Sequence, residues 1–263
     1  MISPFFLRRV KSDIDIYLPP KREYVLFCGM SKFEAELYDV VCSNDSRFDQ
    51  LVATSHLHLQ SRNRVNRIQV LRQIVSHPYN VYEEKNTNGT YITDESMIEA
   101  SSKLSVLDKL LKELIQQGHR TLVFVQFVET LHLLEDYANY RGWKYCMIHG
   151  MVTQVERENA INRFNKDPSI PVFFLTTRSG GLGINLSTAD TVVLYDSDWN
   201  PQQDIQAMDR AHRIGQKRNV AVYQLITLKS IDVHLLNIAE EKRQLERIIT
   251  HHTRSVGFHY WNS

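Results

Sequence analysis

In SKFEAELYDVV, residues 31–41, the apolar positions Phe33, Leu37, Val40 and Val41 fall on one face of a helix, and Ser31 with Glu34 three residues on has the form of a capping box. VNRIQVLRQIVSHP, residues 65–78, repeats that spacing with Val65, Ile68, Leu71, Ile74 and Val75, and predicts a helix that stops before Pro78. CSNDSRFDQ between them reads as a loop, and EEKNTNGT (83–90), with its Asn-Gly pair, as turn chemistry suited to a small hairpin. Up to about residue 100 the pattern predicts helices joined by polar connections.

From residue 103 the rhythm changes. A helix over KLSVLDKLLKELIQQ ends at Gly118, and TLVFVQF (121–127) follows as a short apolar run suited to a strand buried on both faces. Helix 129–140, strand 144–148, helix 155–164, strands 172–175 and 191–195, helix 202–214, strand 220–226 and helix 231–249 complete an alternation. This order predicts an α/β fold with a mostly parallel sheet flanked by helices, whose ligands gather at the carboxyl ends of the strands.

Three stretches after strands carry candidate chemistry. TTRSGGLGIN (176–185) places Gly180, Gly181 and Gly183 where a backbone can approach a ligand closely, and successive amides in such a turn form an anion-binding nest. A tight turn without a ligand has the same composition; Arg178 and the hydroxyls of Thr176 and Thr177 favour phosphate. DSDWNPQQD (196–204) has Asn200 as a helix N-cap and Pro201 in the first turn, which puts Trp199 on the preceding loop, either stacked on a base or sugar or plugging the end of the sheet. On the predicted helix beyond it, Gln202, Gln206, Arg210 and Arg213 lie within an arc of about 80°. That polar face is either a solvated surface or one that reads phosphate.

Composition sets limits. The 263 residues are 43% hydrophobic and 23% charged, enough for one or two globular domains, and a net charge of +1 does not by itself announce a polyanion partner. Cys28, Cys42 and Cys146 have neither disulfide-framework nor zinc spacing, which fits a reducing compartment and no metal site. No apolar run approaches the roughly 20 residues of a membrane span, and no membrane partner is expected. There is no GxxxxGK[ST] string, and no Asp-Glu pair follows a strand where it would hold magnesium, so a nucleoside triphosphatase is not complete in these residues.

Taken together, PFFLRRVKSD, LRQIVSHP, TLVFVQF, TTRSGGLGINL, YDSDWNPQQDIQAMDRAHRIGQ and VYQLIT resemble the second motor lobe of the SWI/SNF-type chromatin-remodelling ATPases of helicase superfamily 2. The resemblance covers nearly the whole chain. LPPKREYVLF, the spacing from SHPY to SSKLSVLDKLL, and AEEKRQLERIITH are most similar to the lymphoid-specific helicase class, with the imitation-switch class next. The resemblance implies a RecA-like lobe over residues 101–229, preceded over 1–100 by a linker and helical protrusion and followed over 230–263 by a brace helix and tail. It implies a nuclear protein that works on double-stranded DNA and nucleosomes. ATP and Mg2+ would be held mainly by a separate N-terminal RecA-like lobe carrying the P-loop, leaving this chain inactive alone and without a cofactor of its own.

Carried over motif by motif, Arg210 and Arg213 resemble arginine fingers, catalytic groups that reach ATP on the other lobe. Gln206, Gly183 and Asn185 resemble residues lining the ATP cleft. Thr177, Arg178, Gly180 and Gly181 match positions gripping the DNA backbone, Trp199 a minor-groove contact, Gln126 the start of a DNA-contacting loop, and Arg157 a further DNA candidate or a structural ion pair. The sequence departs from the family pattern at Ser102, His149 and Ser179, and SIDVHLLNIAEEK lacks the usual Glu-Arg of the brace helix. The alternative is a noncatalytic nucleic-acid-binding or scaffolding module derived from a helicase lobe.

Overall fold

The computed structural model describes residues 18–43, 47–48, 66–82, 93–177, 179 and 184–256, with side chains in the last helix described as far as Gln244. Its strands are β1 (Lys21–Cys28), β2 (Thr121–Val125), β3 (Tyr145–Ile148), β4 (Val172–Thr176), β5 (Thr191–Leu194) and β6 (Val220–Thr227). Its α-helices are α1 (Lys32–Cys42), α2 (Arg67–Ser76), α3 (Glu95–Ala100), α4 (Ser102–Gln116), α5 (Val128–Tyr140), α6 (Gln154–Lys166), α7 (Pro201–Met208) and α8 (Ile231–Val256).

The six strands form one sheet in the order β1-β6-β5-β2-β4-β3, and every neighbouring pair is parallel. Because side chains alternate along a strand, β2 sends Val123 and Val125 to one face and Leu122 and Phe124 to the other. The first pair joins Leu104, Leu107 and Leu111 of α4 and Leu131, Leu134 and Tyr137 of α5. The second joins Phe164 of α6 and Ala207 and Met208 of α7. Both faces are therefore covered by helices, the condition under which a continuous apolar run such as TLVFV is stable as a strand. A third, smaller cluster, built on Val41, Val70, Ile74 and Val81, holds α1 against α2 beside the sheet.

The predicted caps form. Ser31 and Glu34 make both bonds of the capping box at 3.0 and 2.8 Å, and Asn66 caps α2, which ends at Ser76 before Pro78. Ser102, at a departure from the family pattern, donates its backbone N–H to the second carboxylate oxygen of Glu34 at 3.0 Å, so one buried acid caps α1 and ties it to α4.

Two expectations are corrected. Residues 21–28 are a strand, not a connection between helices: KREYVLFC pairs in full register with β6 and extends the sheet. Its charged start and exposed Tyr24, Val25 and Phe27 are those of an edge strand with little buried area, which weakens the sequence signal. The helix predicted over 202–214 ends at Met208. Past Met208 the amides of Arg210 and Ala211 bond three residues back, and the distant Leu186 N–H takes the Arg210 carbonyl at 3.2 Å. Arg210 and Arg213 thus lie on successive turns rather than on one helical face. The hairpin expected at 83–90 and most of the loop at 42–50 lie outside the described residues.

Candidate functional site at the carboxyl ends of the strands

The chain leaves β2 through Gln126, whose backbone N–H donates to Asp196 Oδ2 at 3.2 Å and whose side-chain amide donates to Thr177 Oγ1 at 3.0 Å. Thr177 in turn donates its N–H to Val125 O at 2.9 Å. Sequence placed Gln126 and Thr177 on separate loops, and the fold joins them by a direct bond across the ends of β2 and β4. Ser179 continues the seam, its hydroxyl bonded to Thr176 O at 2.7 Å and Ile148 O at 3.3 Å. An alanine at this position would make neither bond.

Trp199 stands on the loop after β5. The expected Asn200 cap is made, with Pro201 in the first turn of α7, and the indole is 37% exposed. That loop is held from three sides: Arg72 of α2 donates to Ser197 O at 2.9 Å, Gln224 of β6 to Ser197 Oγ at 2.8 Å, and Lys242 of α8 to Trp199 O at 3.2 Å. The Arg72 guanidinium lies 5.6 Å from the ring centroids of both Phe127 and Trp199. A groove of about 630 Å³ opens here, lined by α2 on one side and by Gln126, Phe127, Thr176 and Trp199 on the other.

Beneath the loops sits a buried charge cluster. Lys103 Nζ is 3.3 Å from Asp196 and 2.8 Å from Asp232. Burial alone would lower the lysine pKa; the carboxylates of Asp232 and Asp196 outweigh it and hold the ammonium charged. Asp196 also accepts from Ser76 Oγ at 2.9 Å, and Asp232 accepts from Thr227 N at 3.0 Å. One lysine thereby fixes the ends of β2, β5 and β6 relative to α2 and α8. Sequence reasoning missed Lys103 and Arg72: a single cation on an amphipathic helix gives no sign of whether it faces water or a buried acid.

The arginine segment lies after α7. Arg210 is only 8% exposed, and its Nε has no hydrogen-bond acceptor. Burial, then the neighbouring charge of Arg213, holds the Arg210 guanidinium below its usual pKa. Arg213 and Gln206 are exposed, and the Leu186–Arg210 bond brings Asn185, also exposed, next to this turn. Arg157 on α6 is 7% exposed, and its Nε and Nη1 have no hydrogen-bond partner. Arg178, Gly180, Gly181 and Gly183 lie outside the described residues. Among the described residues, no cluster of His, Cys, Asp and Glu could hold a metal ion, and no helix is long and apolar enough to cross a membrane.

Comparison with known proteins assigns this arrangement to a class. The helicase conserved C-terminal domain matches residues 102–215, and the SNF2-related domain matches residues 1–80. The C-terminal part of the Fun30 ATPase domain superposes with a TM-score of 0.69 at 24% identity, covering 85% of this chain and 90% of that one. The Sulfolobus solfataricus SWI2/SNF2 ATPase core in complex with dsDNA gives 0.66 at 27%, covering 93% of this chain and 49% of that one. Fold and matched regions define a RecA-like helicase C-terminal lobe. The chain is similar in sequence to SWI/SNF-related and ISWI chromatin-remodelling proteins. It is 43% identical over 257 residues both to the human SWI/SNF-related matrix-associated actin-dependent regulator of chromatin subfamily A member 1 and to the Saccharomyces cerevisiae ISWI chromatin-remodeling complex ATPase ISW1. Each match covers 97% of this chain but 24% and 22% of those proteins, so the chain spans about a quarter of the length of these curated relatives.

Proposed function

We propose that this chain is the second motor lobe of an ATP-dependent double-stranded DNA translocase that remodels nucleosomes in the nucleus. The observation that carries this reading is Arg210: a buried guanidinium whose Nε lacks an acceptor, next to Arg213, has the character of a site awaiting an anion. In this reading the anion is the phosphate of ATP bound on the N-terminal RecA-like lobe. Bound ATP with Mg2+ supplies the phosphoanhydride whose cleavage drives the motor. Arg210 and Arg213 stabilise the charge that develops there, and Gln206, Asn185 and Gly183 line the same cleft.

The DNA side is the seam of Gln126 and Thr177 with Trp199, Arg157 and the glycine-rich sequence of Arg178, Gly180 and Gly181. Amides, hydroxyls and isolated arginines contact a sugar-phosphate backbone without reading base sequence, which is what translocation along any duplex requires. Residues 1–100, apart from β1, which belongs to the sheet of the lobe, serve as linker and protrusion, and residues 230–263 as brace helix and tail, beside the lobe at 101–229. The resemblance of individual segments to the lymphoid-specific class rests on those segments alone, beside the relatives carrying the ISWI name.

The test is reconstitution: this chain is mixed with the lobe that precedes it in the full protein, and DNA-stimulated ATP hydrolysis is measured. The motor reading expects neither part alone to turn over and the mixture to do so. Two folded parts that associate on duplex DNA without hydrolysis would favour the noncatalytic binding module.

A further inference from the structure

The groove beside Trp199 has a wall that the motor reading leaves unused. Its strand-end side carries Gln126, Phe127, Thr176 and Trp199, while the opposite side is formed by α2, which presents Gln69 and Arg72. Arg72 makes one hydrogen bond within the described residues, to Ser197 O, and no carboxylate there is ion-paired with it. A guanidinium carries five N–H donors in a rigid fork, so most of its donor capacity remains for a ligand. Its position is nonetheless fixed, by the Ser197 carbonyl and by the faces of Phe127 and Trp199 at 5.6 Å each.

The charge is also poorly compensated. Asp204, the buried acid that feels Arg72, is pushed up to about 7 by burial, and so offsets only part of that charge near neutral pH. A pre-positioned cation between two aromatic rings, facing amide and hydroxyl groups across an open groove of mixed polar and apolar lining, is complementary to an anion spaced along a chain of flat or sugar-like surfaces. An isolated small anion would leave the amide and aromatic walls without a role.

We propose that this groove seats a phosphodiester segment of duplex DNA, with Arg72 as its phosphate contact, so that α2 forms the outer wall of the DNA track. The inference rests on the DNA reading given above, and adds to it a residue from outside the sheet. Arg72 also sets the loop of Trp199, through Ser197, so phosphate contact and indole placement are joined in one side chain.

The test is the salt dependence of binding of the 263-residue chain to a short duplex of arbitrary sequence. Losing one phosphate contact makes the log-log salt slope shallower by about 0.9. Arg72→Ala and Arg72→Gln should both show that change and weaker binding, while Arg72→Lys, which keeps the charge, should keep the slope. Circular dichroism and a urea transition establish which variants fold; if Arg72→Ala does not, the contrast of Gln against Lys carries the test. Unchanged slopes in the folded Gln or Ala variants, with Trp199→Ala still weakening binding, would overturn the proposal and leave the DNA reading standing. Absence of salt-dependent duplex binding by the wild-type chain would overturn both. An equal loss of binding to polyglutamate, with duplex binding unaffected, would assign the groove to an acidic protein segment and overturn the proposal as well.

Discussion

The ammonium of Lys103 lies 2.8 Å from the carboxylate of Asp232, with both side chains almost wholly removed from solvent. Lys103 is the second residue of α4, Asp232 the second of α8, and the bond joins the two helices beneath the loops that carry the candidate site. With Asp196 as the second partner, the cluster holds one positive charge against two negative ones.

Removing the lysine leaves two buried carboxylates facing each other without a cation. Lys103→Met should cost about 3–5 kcal/mol, the penalty of breaking a buried pair from one side, measured by urea unfolding. A loss below about 1 kcal/mol would mean that water already reaches the cluster.

Asp204 sets a pH dependence of definite sign. Burial, with Asp198 nearby, raises its carboxyl to about 7, whereas in the unfolded chain it titrates near 3.8. The folded state therefore holds the proton more tightly. The stabilisation is complete below about pH 4 and is lost as pH rises through 7. His77 acts in the opposite direction: burial lowers it to about 4, so its neutral form stabilises the fold above pH 6.5 and the benefit is lost in acid. Comparing wild type with Asp204→Asn cancels the histidine. The stability of wild type relative to the variant should fall between pH 4 and pH 8 by on the order of 2–4 kcal/mol; a difference independent of pH would show that Asp204 ionises normally.

Trp199 should contribute to DNA binding by contact rather than by charge. Trp199→Ala is expected to weaken duplex binding by about 1 kcal/mol while leaving the salt slope unchanged, in contrast to substitutions at Arg72. An affinity equal to wild type would make the indole a plug for the end of the sheet.

The core strands and the caps were legible because each rests on a local rule. TLVFV is apolar on both faces, and Ser31-x-x-Glu34 and Asn200-Pro201 bond to their own helices. What failed depends on distant partners. β1 owes its pairing to β6, almost two hundred residues away, and its own exposed apolar residues obscure the alternation. The helix over 202–214 has the right periodicity, but past Met208 the amides of Arg210 and Ala211 bond three residues back and the distant Leu186 amide takes the Arg210 carbonyl. The site shows the same division. Gln126, Thr177 and Trp199 could be named from loops after strands, whereas Arg72 and Lys103 acquire their roles only when α2 and α4 are packed against those loops.

Arg213 is the residue on which the motor reading can be tested with least disturbance to the fold, because it is exposed whereas Arg210 is buried. The measurement is DNA-stimulated ATP hydrolysis by the full-length protein carrying Arg213→Ala, with ATP binding followed in parallel. If Arg213 is a finger for nucleotide held by the other lobe, binding persists and hydrolysis falls by roughly 10³-fold or more. Turnover equal to wild type would contradict that assignment.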